Sequence, residues 1–120
     1  MPTILVVDDA LFMRTILKKA LTDAGFTVVG EAENGQVAVS RYQELRPDVV
    51  MMDITMPIMD GLTALKEIKK LAPDAVVIMC TALGQESTVM DAINSGAKDY
   101  IIKPFKPEKV TEAVKKAIGG

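Results

Sequence analysis

The segment Val49-Val50-Met51-Met52 is uniformly apolar and ends abruptly in a carboxylate, Asp53. An apolar run this short, with no polar alternation, is the signature of a strand buried on both faces. Further candidate strands, less uniformly apolar, lie at residues 3–7, 26–32, 75–80 and, in a shorter form, 99–102. Each is followed by a stretch whose apolar residues repeat at three and four. Strand and helix alternating with short connections fit a parallel sheet covered by helices on both faces. Five strands are too few for a (β/α)8 barrel. The expected fold is therefore α/β, a doubly wound five-stranded parallel sheet in the order 2-1-3-4-5.

The helical stretches carry their own punctuation. Residues 11–24 place Met13, Ile16, Leu17, Ala20, Leu21 and Ala24 on one face, and Gly25 suits the end of that helix. Asn34 can cap 35–45, with Ala38, Tyr42 and Leu45 inward and Pro47 beyond. Asp60-Gly61 opens 61–71, whose core face is Leu62, Leu65 and Ile68. Residues 85–95 turn Val89, Ala92 and Ile93 inward before Gly96. Pro107 suits the first turn of 107–119, where Val110, Ala113, Val114, Ala117 and Ile118 form one stripe.

Composition narrows the class. A chain of 120 residues is expected to form one domain, 1–120, with a core of its own. It is 49% hydrophobic and 25% charged, as in ordinary water-soluble domains. No apolar stretch is long enough to span a bilayer, and Met1-Pro2-Thr3 runs into the first strand without a basic leader. A cytoplasmic location with no membrane partner is expected. The single cysteine, Cys80, lies in an apolar run and has no internal partner for a disulfide, which agrees. A net charge of −2 with dispersed Lys and Arg speaks against a nucleic-acid-binding face. There is no histidine, which removes imidazole acid–base catalysis and imidazole metal ligands. Any metal would be held by oxygen, which points to Mg2+, Mn2+ or Ca2+.

In the order 2-1-3-4-5 the first and third strands are neighbours where the winding reverses, and such sheets bind ligands outside the carboxyl ends of their strands. Asp8 and Asp9 end the first strand and Asp53 the third, so these carboxylates converge. A pair of them repels by roughly 4 kcal/mol at about 4 Å in an effective dielectric of about 20. Either one is protonated or a cation sits among them. Mg2+ fits best, since it takes one or two carboxylates and fills its remaining positions with water and phosphate oxygens. Asp8 and Asp9 also suit the positive end of the following helix, although a cap needs only one acid. Thr81 follows the fourth strand and Lys103 the fifth, at the same edge. Phoshoryl transfer calls for a cation, a carboxylate nucleophile, a hydroxyl donor and a fixed ammonium. Asp53 is the candidate acceptor, through an aspartyl phosphate. Ala82, next to Thr81, leaves room for that group.

Asp8-Asp9, Met52-Asp53-Ile54-Thr55-Met56-Pro57, Asp60-Gly61, Thr81-Ala82 and Lys103-Pro104 occur in this order over essentially the whole chain. They resemble the receiver domains of two-component response regulators, a flavodoxin-like (βα)5 family. The stretch Asp8-Asp9-Ala10-Leu11-Phe12-Met13-Arg14, with no output domain in the sequence, is most similar to the single-domain chemotaxis regulators.

The resemblance implies that Asp53 is phosphorylated by a histidine kinase. It implies Mg2+, with Mn2+ as a substitute, on Asp9, Asp53 and the backbone carbonyl of Thr55, Asp8 assisting through water. Lys103 would pair with the acids and then with the phosphoryl group, and the Lys103–Pro104 peptide would be cis. Thr81 would move to a phosphoryl oxygen and Tyr100 would rotate behind it. Ala82, Thr55 and Leu83 would govern access and tuning, with the apolar Leu83 unable to orient a water. The surface of the fourth helix, fifth strand and fifth helix, including Gln85, Met90, Tyr100 and Phe105, would bind the flagellar motor switch or another output partner. Such a chain is a monomeric phosphoacceptor that catalyses its own phosphorylation and dephosphorylation and does not itself bind nucleic acid. The alternatives are a receiver cut from a larger, DNA-binding regulator and a haloacid-dehalogenase-like phosphatase, which wants an acid where Thr55 stands. A carrier of FMN would need a phosphate-binding loop where Asp8-Asp9 stand.

Overall fold

In a computed structural model, which describes residues 2–82 and 84–119, the chain alternates without exception. The elements are β1 (Thr3–Val7), α1 (Leu11–Asp23), β2 (Thr27–Ala32), α2 (Gly35–Leu45), β3 (Val49–Asp53), α3 (Gly61–Leu71), β4 (Val77–Ala82), α4 (Glu86–Asn94), β5 (Asp99–Lys103) and α5 (Pro107–Gly119). The strands form one parallel sheet in the order β2-β1-β3-β4-β5.

Successive side chains of a strand point to opposite faces, and that period divides the core in two. Leu5, Val7, Val50, Met52, Val77 and Met79 face α2, α3 and α4, where Ala38, Tyr42, Ala64, Leu65, Ile68, Val89 and Ala92 cover them. Ile4, Val6, Val49, Met51, Ile78, Cys80 and Ile101 face α1 and α5, against Leu17, Leu21, Val110, Val114 and Ala117. Every residue of β3 is buried, which is why that strand is apolar throughout and not alternating. The helix starts are fixed by side chains: Asn34 Oδ1 accepts from the Val37 amide at 2.9 Å, and Asp60 Oδ1 from the Thr63 amide at 2.8 Å.

Several boundaries differ from expectation. β4 starts at Val77 and runs through Thr81 and Ala82, because those two residues pair with Ile102 and Lys103 of β5. β5 accordingly continues to Lys103. Phe26 precedes β2 and packs into the α1–α5 core instead of pairing, and α1 stops at Asp23, leaving Ala24 as its exposed end. Ile16, Ile93 and Ile118, expected inward, are each more than a third exposed. They sit at the margins of helix faces wider than the layer beneath them. No helix among the described residues is long and apolar enough to cross a membrane.

Candidate functional site

β1 and β3 run side by side with Val7 opposite Met52, so the residues that follow, Asp8 and Asp53, emerge together at the carboxyl edge. Asp8 is 1% exposed and Asp53 8% exposed, whereas Asp9 faces solvent. Each of the three offers a carboxylate oxygen within 4.8 Å of the others. The Asp8 amide donates to Ala32 O on β2 at 3.1 Å, and Asp8 Oδ1 accepts from the Ala10 amide at 2.9 Å. The Asp8 carboxylate thus does tie down the turn into α1, with its second oxygen left for the site.

Lys103 enters from β5, with Nζ 2.8 Å from Asp8 Oδ2 and 3.1 Å from Asp53 Oδ1. The cation that the repulsion argument demands is supplied in part by the protein itself. Burial lowers the Lys103 ammonium, but the Asp8 hydrogen bond and the Asp53 charge outweigh it and hold the group above its ordinary range. Burial pushes the Asp53 carboxyl above its ordinary range; Lys103 pulls it down, and Asp8 and Asp9 push it further up. One ammonium does not balance three acids. The surplus is a set of hard oxygen donors with no imidazole or thiolate beside it on the open side, and it fits Mg2+. Asp9, Asp53 and Asp8 are the residues that would hold it.

The far wall is built by close backbone packing. Gly61, the first residue of α3, lies against the Asp53 carbonyl so tightly that a β-carbon there would strike it, and the Gly61 amide donates to Ile54 O at 2.7 Å. The loop between β3 and α3 takes a left-handed turn at Ile58, with φ of 68°. It is fastened to α2 where the Gly35 amide donates to Met59 O at 2.8 Å.

Thr81 ends up at the same edge but turned away. It is 2% exposed, and its hydroxyl is directed to Gln85 Oε1 at 3.0 Å and Ala82 O at 3.3 Å. Tyr100 points outward at 43% exposed and lines an apolar groove with Val89, Met90, Ile93 and Ile102. Ala82 is exposed beside Thr81, Thr55 is exposed at the mouth, and the Lys103–Pro104 peptide is cis. Leu83 lies outside the described residues. Phe105 is half-buried against the α1–α5 core. Asp8, Asp9, Asp53 and Lys103 therefore meet as expected, while the side chains of Thr81 and Tyr100 make no hydrogen bond to the cluster.

Two contributors were not assigned to the site from the sequence, where Arg14 figures only in the stretch that carries the resemblance and Gln85 only on the output surface. Arg14 on α1 donates through Nη1 to the Asp8 carbonyl at 2.7 Å and through Nε to Glu31 at 2.9 Å. Gln85 bonds Thr81 and Thr55 together. Gly61 did leave a trace, in the Asp60-Gly61 pair at a helix start.

A doubly wound sheet with this acid cluster and lysine at its switch point defines a receiver-type signalling domain. Residues 4–115 match the response regulator receiver domain family, and the chain belongs to it. It is 58% identical over 115 residues to the chemotaxis protein CheY of Bacillus subtilis, covering 96% of each chain. It is 56% identical over 113 residues to the CheY of Thermotoga maritima, covering 94% of each. Among solved structures, the CheX–CheY–BeF3–Mg2+ complex of Borrelia burgdorferi matches with a TM-score of 0.93 at 39% identity, over 97% of this chain and 88% of that one.

Proposed function

We propose that this chain is a chemotaxis response regulator that accepts a phosphoryl group on Asp53 from a histidine kinase and relays it to an output partner. The observation that carries this reading is the Asp53 carboxylate at the end of β3, held by Lys103 and faced by Asp8 and Asp9. Lys103 contacts Oδ1, which leaves Oδ2 to attack the phosphorus of a phosphohistidine. The new P–O bond forms on Asp53 as the P–N bond breaks, and the imidazole departs with the electron pair. Mg2+ held by Asp8, Asp9, Asp53 and the Thr55 backbone carbonyl would offset the repulsion among the acids and the charge of the phosphoryl oxygens. Lys103, already within reach, re-aims its ammonium at one of those oxygens. The small Ala82 side chain and exposed Thr55 leave the mouth open.

Switching follows as a population shift, with contacts to the phosphoryl group as the differential interaction. Thr81 turns its hydroxyl inward, Tyr100 moves from solvent into the space behind it, and the α4–β5–α5 surface repacks to bind its target, the flagellar motor switch. The regulator works as a cytoplasmic monomer and does not itself contact nucleic acid.

The test uses a small phosphodonor with Mg2+. The parent should take up acid-labile phosphate and Asp53→Asn should not; equal uptake by both removes Asp53 as acceptor. Asp9→Ala should weaken Mg2+ binding. Phosphorylation should strengthen binding to a peptide from the flagellar switch protein, and affinity indifferent to phosphorylation would overturn the chemotaxis assignment.

A further inference from the structure

Gln85 stands immediately before α4 and joins two residues that flank Asp53. The Thr81 hydroxyl donates to Gln85 Oε1 at 3.0 Å, a nearer acceptor than Ala82 O at 3.3 Å, and Gln85 Nε2 donates to Thr55 Oγ1 at 3.3 Å. The position before a helix usually lends its side chain to the free amides of the first turn. Gln85 makes no such bond, so its carboxamide is committed to the phosphoacceptor site and not to the helix.

A threonine hydroxyl has one proton to donate. While Gln85 holds it, a phosphoryl oxygen on Asp53 cannot. Thr81 is 2% exposed, so water has little access to replace the bond. We propose that Gln85 is a positioning residue that holds the Thr81 hydroxyl away from Asp53, opposing the switch until a phosphoryl group outcompetes it. This rests on the reading of Asp53 as the phosphoacceptor. When Thr81 turns inward, Gln85 Oε1 loses its donor while Nε2 keeps Thr55. The carboxamide is then free to shift with the first turn of α4, so the bond that opposes switching also links the phosphoryl site to the helix that moves. Deleting it removes a stabilising contact from one of two arrangements only, which is the condition for moving the equilibrium between them.

The experiment titrates the full chain with beryllofluoride in the presence of Mg2+, followed by calorimetry. Gln85→Ala, and Gln85→Met as a variant of similar length without hydrogen-bonding groups, should each tighten binding about three- to tenfold, the worth of one neutral hydrogen bond. In a Thr81→Ala background, where no hydroxyl remains to be held, the same substitutions should change nothing. Unchanged or weaker binding by both variants in the parent background overturns the proposal. So does equal tightening in both backgrounds, which would mean that Gln85 acts on the loop alone. A parent chain that takes up no beryllofluoride overturns the assignment of Asp53 and this proposal with it, and that result is distinct from uptake that ignores Gln85.

Discussion

Lys103 Nζ lies 3.1 Å from Asp53 Oδ1, the two side chains meeting from β5 and β3 across the end of β4. The same ammonium serves Asp8 at 2.8 Å, so Asp53 receives only part of one positive charge while Asp8 and Asp9 stand near it. Burial therefore prevails, and the Asp53 carboxyl is held above its ordinary 3.8. A carboxyl raised on folding binds its proton more tightly in the folded state. Its ionisation costs stability as pH rises from 3.8 through the folded value, and that cost is fully present above it. Asp53→Asn keeps the shape and removes the charge. It should stabilise the protein at pH 7 by on the order of 1 kcal/mol, about 3–6 °C in Tm for a chain of this size. The gain should fade in melts carried down towards pH 3.8.

Removing the cation should do the reverse. Lys103→Met leaves the Asp8 side chain, 2% exposed, and the Asp53 side chain, 11% exposed, without their shared ammonium. The loss should be about 1.5–3 kcal/mol at neutral pH, the range for a hydrogen bond to a charged group. Urea melts check it, and Mg2+ should stabilise the variant more than the parent. In the parent, Lys103 is raised above 10.5 although burial alone would lower it. Its contribution is therefore fully present below 10.5 and disappears only as pH climbs through the folded value, so it is constant across the neutral range.

The parts of this fold that were legible from sequence are those decided locally. The unbroken apolar run of β3 reports burial on two faces, and Asn34 and Asp60 mark helix starts because their side chains bond amides three residues on. The convergence of Asp8, Asp9, Asp53 and Lys103 was legible too, since the order 2-1-3-4-5 brings those strand ends to one edge. The extension of β4 through Thr81 was not, because it is set by pairing with β5 about twenty residues away. The exposure of Ile16, Ile93 and Ile118 depends on how far the layer under each helix reaches, which no periodicity records. The Thr81–Gln85–Thr55 chain depends on rotamers at three separate positions.

Gly61 offers a sharper test of how the backbone aims Asp53. A β-carbon at Gly61 would collide with the Asp53 carbonyl and come within 2.9 Å of the Ile54 Cα, and both are backbone atoms that cannot swing aside. Gly61→Ala should lose about 2 kcal/mol or more through overpacking and weaken Mg2+ binding by moving the carboxylate. Gly84 is the control. It has open space around it but a φ of +92°, so Gly84→Ala should cost only about 1 kcal/mol of backbone strain and leave Mg2+ affinity alone. Chemical denaturation and Mg2+ titration of the two variants separate these effects.

Arg14 should set the position of the acid pair from behind. Its side chain is 13% exposed, its Nη1 holds the Asp8 carbonyl at 2.7 Å, and Glu31 fixes its Nε at 2.9 Å while Lys18 holds the other Glu31 oxygen at 2.8 Å. A lysine in place of Arg14 has no fork to reach both partners at once. Arg14→Lys should therefore weaken Mg2+ binding by about tenfold, the usual size for a residue that orients a ligand without touching the metal, although every carboxylate remains. Glu31 ties this network to pH. The Lys18 hydrogen bond, against the opposing effect of burial and with help from Arg14, holds the Glu31 carboxyl below its ordinary 4.5. Its contribution is fully present above 4.5 and is lost as pH falls through the folded value. Glu31 is a third exposed, so the contribution to stability is small. Glu31→Gln should flatten the acid limb of the stability profile slightly and, at neutral pH, reproduce part of the Arg14→Lys loss in Mg2+ affinity. If Arg14→Lys binds Mg2+ as the parent does, the Asp8–Asp9 turn holds its own shape and Arg14 only packs against it.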